Sequence, residues 1–191
     1  MMPGMQKEYR SLRRRPFLAP VWIFALAALL ALAAAAWAVY AASTTVVVVM
    51  RHAEKAAGAG EDPPLSPEGL ARAERLAATF GVADGARAID AIFVSDKVRT
   101  AQTARPLATR LGAPVVILPA GDLGALKARI FDGYRGKRVL VVAHSNTVPE
   151  IVKRLADGAA VPPIAEDEYG TAYVVAVPRW SRPAVLRLQL P

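Results

Sequence analysis

Four side chains in this 191-residue chain have types and positions suited to chemistry on a small tetrahedral dianion: Arg51, His52, Arg99 and His144. The chain has only two histidines, and each directly follows an apolar run, His52 after TTVVVVMR and His144 after VLVVA. The planar fork of an arginine matches the oxygens of a phosphate-like group. An imidazole can attack such a centre and hold the group covalently. No carboxylate pair and no glycine-rich nucleotide loop accompanies these residues, so they read as a phosphoryl-transfer pocket that uses histidine in place of metal. Because there is no cysteine, disulfides, thiolate metal sites and a thiol nucleophile are excluded.

These residues need elements that bring them together. Val46 to Val49 form a continuous β-branched run, the pattern of a central parallel strand buried on both faces, so Arg51 and His52 fall at its carboxyl end. In an open α/β sheet that end is where crevices lie. Ala91 to Ser95 leads in the same way into Asp96, Lys97 and Arg99, and Val139 to Ala143 leads into His144. Parallel neighbours would therefore converge two arginines and two histidines at one edge. Ala56 to Pro64 is a turn-rich loop placed over that edge. Ser66 can cap a helix with Pro67 in its first turn. That helix carries Leu70, Ala73, Leu76, Ala77 and Phe80 on one face, with Arg72, Arg75 and Thr79 opposite. A second helix runs from Val98 towards Gly112 and is expected to kink at Pro106. Pro114 to Leu118 reads as a strand, Asp122 caps a helix through about Ile130, and Ser145, Asn146 and Thr147 start a helix through Leu155. Thr171 to Val177 and Ala184 to Leu190, joined by PRWSR, predict an edge hairpin. The alternation predicts a three-layer α/β/α domain with a mainly parallel central sheet over residues 43–191.

The N-terminus is of another kind. Residues 1–16 hold Lys7, Arg10, Arg13, Arg14 and Arg15 against Glu8, a net charge of +4 out of +8 for the chain. The remainder shows no basic stripe with interleaved aromatics, so nucleic acid is not an expected partner. Residues 17–42 carry no charge, and Val21 to Ala42 as a helix would span about 33 Å, the thickness of a bilayer's hydrocarbon core. Trp22 near one end, and Trp37 with Tyr40 near the other, fit an interfacial aromatic belt. With the arginines before the span, the expectation is a cytoplasmic leader and a signal-anchor helix, the domain lying across the inner membrane on the periplasmic side. The rival is a signal peptide cleaved after Val39-Tyr40-Ala41, which would release the domain.

The motifs resemble those of the histidine phosphatase superfamily, also called phosphoglycerate mutase-like. Arg51-His52-Ala53-Glu54 is similar to its Arg-His-Gly/Ala-Glu hallmark, and Leu65 to Gly69 to its LSPEG phrase. Ser95 with Arg99, Thr100, Thr103 and Ala104 resembles its S-x-x-x-R-T-x-x-T-A context, and His144 in VVAHSNT its second histidine. The resemblance implies that His52 is the nucleophile, becoming phosphohistidine, while Arg51, Arg99 and His144 clamp the phosphoryl group. It places an acid near Asp122, the preferred proton donor, with Glu54 as rival. Asp122 also fits a plain N-cap, and Glu54 could instead orient Arg51 or the loop. Ser145 and Asn146 are candidate phosphate donors that could equally serve as helix caps. Lys55 and Lys97 are expected at the rim, as is the charged turn from Glu166 to Tyr169.

The resulting expectation is a membrane-anchored, metal-independent phosphatase without a cofactor. It would hydrolyse phosphomonoesters of small molecules or phosphoproteins. The alternatives are a phosphohistidine or protein phosphatase, and a phosphate-binding module without turnover.

Overall fold

The computed structural model describes residues 21–42, 44–58, 60–81 and 88–190. The basic leader at 1–16 and residues 17–20 of the expected span lie outside that set.

Helix α1 (Val21–Ala42) has no acidic residue in its first turn and no basic residue in its last. Its Val21–Tyr40 stretch is long and apolar enough to cross a membrane, and none of it is buried, unlike the core helix of a soluble protein. A signal sequence would meet the same description.

From Thr45 onward the chain builds one six-stranded sheet. The strands are β1 (Thr45–Arg51), β2 (Ala91–Ser95), β3 (Val115–Leu118), β4 (Arg138–Ala143), β5 (Thr171–Val177) and β6 (Ala184–Gln189). Their spatial order is β3-β2-β4-β1-β5-β6. The first four are mutually parallel, while β5 and β6 run antiparallel as the expected edge hairpin. Alternation along β1 divides the core. Val47 and Val49 point to one face, where they meet Val148, Ile151 and Val152 of α5 (Thr147–Leu155) and Leu126 and Ile130 of α4 (Leu123–Gly133). Val48 and Met50 point to the other, against Leu76 and Ala77 of α2 (Pro67–Phe80) and Ala104 and Leu107 of α3 (Val98–Leu111). Each layer thus covers one side of a strand with no polar face, which is why β1 is apolar at every position from Val46 to Met50.

Local chemistry sets the helix ends. The Ser66 hydroxyl accepts from the Gly69 N–H at 3.1 Å with Pro67 in the first turn. The Asp122 carboxylate accepts from the Ala125 N–H at 2.9 Å and so starts α4. Helix α3 continues as one element through Pro106, and Gly112 ends it in the left-handed conformation. Two details depart from expectation. Leu70, read as part of the apolar face of α2, is 49% exposed, and Gly69 is buried in its stead. A Cβ at Gly69 would lie 2.1 Å from the Glu54 carbonyl oxygen, so the glycine lets α2 approach the loop after His52.

Candidate active site

The parallel register of β1 and β4 pairs Arg51 with Ala143, and the ladder extends one step further as the His52 N–H donates to the Ala143 carbonyl at 2.9 Å. This puts the two residues that follow, His52 and His144, side by side with ring centroids 5.3 Å apart. β2 lies on the other side of β4, and α3, which follows it, sends Arg99 between the two rings. The Arg99 Nε–H donates to His52 Nε2 at 3.1 Å, and its Nη2 reaches His144 Nδ1 at 3.4 Å.

These contacts assign the imidazole protons. The Ala53 carbonyl can only accept, so His52 carries its proton on Nδ1 and donates it there at 2.7 Å. That leaves the Nε2 lone pair facing the guanidinium of Arg99. In His144 the Nδ1 lone pair meets Arg99, so the proton sits on Nε2 and is donated to Ser95 Oγ at 2.9 Å. Both rings are held neutral. Burial lowers the pKa of each to about 4, helped for His52 by its neighbours His144, Arg99 and Arg51, and for His144 chiefly by Arg99.

Arg51 is buried and takes hold of the segment between α5 and β5. Its Nη1 donates to the carbonyls of Ala165 at 2.8 Å and Glu168 at 3.0 Å, and the guanidinium lies 4.2 Å from the Tyr169 ring. Its Nη2 meets the carboxylate of Glu166 at 3.3 Å, while the other oxygen of that carboxylate accepts from the Ser145 hydroxyl at 2.6 Å. The Ser145 hydrogen bond, followed by the charge of Arg51, holds the Glu166 carboxyl below its usual range even though the side chain is largely exposed. Among the described residues, the buried Nε of Arg51 has no hydrogen-bond partner.

Arg51, His52, Arg99 and His144 line an open cleft of about 950 Å³ together with Lys55, Lys97, Ser145, Asn146 and Glu166. That is room for a phosphoryl group and part of the group that carries it. The expected clamp residues, the two candidate donors and both rim lysines therefore converge. The two proton-donor candidates are placed differently. Glu54 is forked by Arg72, with Nε at 2.8 and 3.0 Å and Nη2 at 2.7 Å, and does not line the cleft. Burial alone would raise its pKa, but the Arg72 hydrogen bond and charge keep it low and the carboxylate ionised. Asp122 caps α4 and lines a smaller adjoining cavity that also touches Ser95 and His144, while its neighbours Ala120 and Gly121 line the cleft itself.

Several positioning residues were not singled out from the sequence. Asp62, in the loop of residues 56–64, accepts from Arg99 Nη1 at 3.2 Å and from the Val98 N–H that opens α3. Ser95 and Thr103 stand in the sequence only as letters of the motif around Arg99. Ser95 orients His144, and the buried Thr103 hydroxyl accepts from the Ala53 N–H at 3.0 Å while donating to the Arg99 carbonyl at 2.8 Å. Thr103 thus ties the His52 loop to the helix that carries Arg99. A buried polar residue on a helical apolar face is the signal that could have found it. Among the described residues, no group of three or more His, Asp and Glu side chains is arranged to hold a metal ion.

A family model, histidine phosphatase superfamily (branch 1), matches residues 47–120. No curated protein sequence matches the chain significantly. Solved structures share the fold. The protein histidine phosphatase SixA complexed with tungstate superposes with a TM-score of 0.63 at 23% identity, over 75% of this chain and 96% of that one. A putative α-ribazole-5'-P phosphatase from Escherichia coli gives a TM-score of 0.61 at 15% identity, over 76% and 96%. A mycobacterial glucosyl-3-phosphoglycerate phosphatase gives 0.60 at 15% identity, over 78% and 100%. The matched segment runs through both Arg51-His52 and Arg99, so over residues 47–120 this chain is similar to the histidine phosphatase superfamily (branch 1), and the solved structures share its fold.

Proposed function

We propose that this chain is a membrane-anchored phosphatase that takes a phosphoryl group onto Nε2 of His52 and releases it to water. The observation that carries the reading is the fixed tautomer of His52: with Nδ1–H held by the Ala53 carbonyl, a neutral Nε2 lone pair faces the cleft beside Arg99. Nε2 attacks phosphorus as the bond from phosphorus to the leaving group breaks. Water then attacks the phosphohistidine, the P–N bond breaks, and phosphate leaves with Nε2 restored. Arg51, Arg99 and the Ser145 hydroxyl meet charge on the equatorial oxygens, and His144, whose one N–H is given to Ser95, holds Arg99 in place through its Nδ1 lone pair.

A second reading concerns the substrate. Among the described residues lining the cleft, Glu166 is the carboxylate, and it is held ionised, while Glu54 is committed to Arg72 and Asp122 to the α4 cap. Such a cleft suits a leaving group that needs no carboxylic acid. The imidazole of a phosphohistidine, which is readily protonated, is of that kind, and SixA in the solved complex is named a protein histidine phosphatase. Anchoring through α1, with the domain on the periplasmic side of an inner membrane, completes the proposal.

The test is His52→Ala. It is expected to abolish hydrolysis and the acid-labile phosphate trapped on the wild type after brief exposure to substrate. Near-wild-type turnover in that variant would remove the mechanism. Comparing rates on a phosphohistidine peptide, p-nitrophenyl phosphate and an alkyl phosphate separates the substrate readings, since a phosphohistidine phosphatase is expected to leave the alkyl ester nearly untouched.

A further inference from the structure

The two ends of the sheet differ in chemistry. The cleft occupies the carboxyl ends of β1, β2 and β4. At the opposite end β1 begins at Thr45, whose register partner is Val177, the last residue of β5. Because β1 and β5 are antiparallel, the turn of residues 178–183 projects past the start of β1. Its sequence is Pro178-Arg179-Trp180-Ser181-Arg182-Pro183, with Arg179, Trp180 and Arg182 exposed and Trp180 at 65%. The Arg179 guanidinium lies 5.7 Å from the Trp180 ring. The turn before β4 shares this end, because the Gly136 N–H donates to the Thr45 hydroxyl at 3.0 Å and the Val46 N–H to the Lys137 carbonyl at 2.9 Å. It adds the exposed Arg135 and Lys137, the latter paired with Asp90 at 3.5 Å.

Only three peptide steps separate Ala42 from Thr45, at most about 11 Å of chain. An exposed tryptophan between arginines has the amphipathic ring and cationic flanks of a residue at a headgroup boundary. Basic side chains close to an anionic leaflet add attraction that falls off within a Debye length. We propose that this end of the domain is a membrane-facing surface, with Trp180 seated among the headgroups of an anionic phospholipid leaflet and Arg179, Arg182, Arg135 and Lys137 against its phosphates. The inference rests on the reading of α1 as an uncleaved anchor. Its consequence is that the cleft, a full β1 length or about 20 Å away along the strand, opens towards the aqueous phase.

The test uses the full chain reconstituted into vesicles of phosphatidylethanolamine and phosphatidylglycerol with brominated acyl chains. Trp22→Phe and Trp37→Phe leave Trp180 as the sole tryptophan. Trp180 emission is expected to be blue-shifted and quenched most by bromines placed high in the acyl chain. Arg179→Glu with Arg182→Glu, or phosphatidylcholine alone, should reduce the quenching several-fold without changing hydrolysis of a soluble phosphate ester. Solvent-like, unquenched emission from a protein that still resists carbonate extraction overturns the membrane-facing surface and leaves the anchor standing. Quenching that ignores both the arginines and the lipid charge overturns the anionic-headgroup assignment. Release by carbonate removes the anchor and the proposal with it.

Discussion

At the scale of single residues the site is governed by what holds each imidazole neutral. The proposed nucleophilic attack needs unprotonated His52, and the unfolded-state value near 6.5 has been pushed down to about 4 in the fold. Protonation, and with it loss of the nucleophile, therefore begins only as pH falls through about 4. The acidic limb of kcat/KM, corrected for ionisation of the substrate, is expected near 4 rather than 6.5. The same depression means that the unfolded chain binds protons between 6.5 and 4 that the folded chain refuses, so stability should fall as pH is lowered across that window, as a thermal melting series would read. Glu166 gives a second expectation. Its carboxylate rests on donors that Arg51 and Ser145 would otherwise offer to phosphate. With the Glu166 side of the pair 78% exposed to solvent, the contact is worth at most about 1 kcal/mol, so Glu166→Gln should tighten competitive inhibition by inorganic phosphate by up to about fivefold with little change in kcat. A collapse of kcat would instead assign Glu166 a proton-transfer role. For the acid candidates, Asp122→Asn should slow an alkyl phosphate far more than p-nitrophenyl phosphate if Asp122 protonates the leaving group, whereas equal losses point to the α4 cap.

At the scale of elements the loop after His52 is held from two sides. Thr103 of α3 fixes Ala53, and α2 presses Gly69 against the Glu54 backbone while Arg72 forks its carboxylate. Gly69→Ala puts a methyl where the Glu54 carbonyl stands, and a displacement of that kind costs about 1–3 kcal/mol. Urea unfolding should show that loss, with activity falling further because the displaced segment carries the proposed nucleophile, His52. Arg72→Ala and Glu54→Ala should each lower stability and kcat. In the double variant the effects should be strongly non-additive, because each single change strands the partner's charge at a site where both side chains are mostly buried. Additive losses in a double-mutant cycle would mean that the pair contributes little to holding the loop.

At the scale of the whole molecule the chain is an apolar helix followed by a domain whose candidate reactive residues come from the end of β1, α3 and the turn after β4. The full chain should resist carbonate extraction, and protease outside the inner membrane should reach the domain while an N-terminal tag stays protected. A protease-protected domain would reverse the topology, and a soluble product beginning near Ala42 would show cleavage. Activity should also survive a chelator, since the cleft's cationic work falls to Arg51, Arg99 and the imidazoles. Loss with EDTA and rescue by a divalent ion would contradict that.

What the sequence determined by itself was everything written in a local period or a short motif. The uninterrupted valines of β1, the apolar runs before Arg99 and His144, the Ser66 and Asp122 caps and the edge hairpin were legible because burial on two faces, capping and alternation each leave a mark within a few residues. Even the convergence of Arg51, His52, Arg99 and His144 followed once the strands were taken as parallel neighbours. Tertiary structure decided the partners. That Glu54 answers to Arg72, Arg99 to Asp62, His144 to Ser95, and Arg51 to the segment from Ala165 to Tyr169 depends on which loops meet across the sheet. Arg51 and Glu166 are 115 residues apart and meet because β5 returns beside β1. Such pairings are fixed by strand order and register, which no window of neighbouring residues contains.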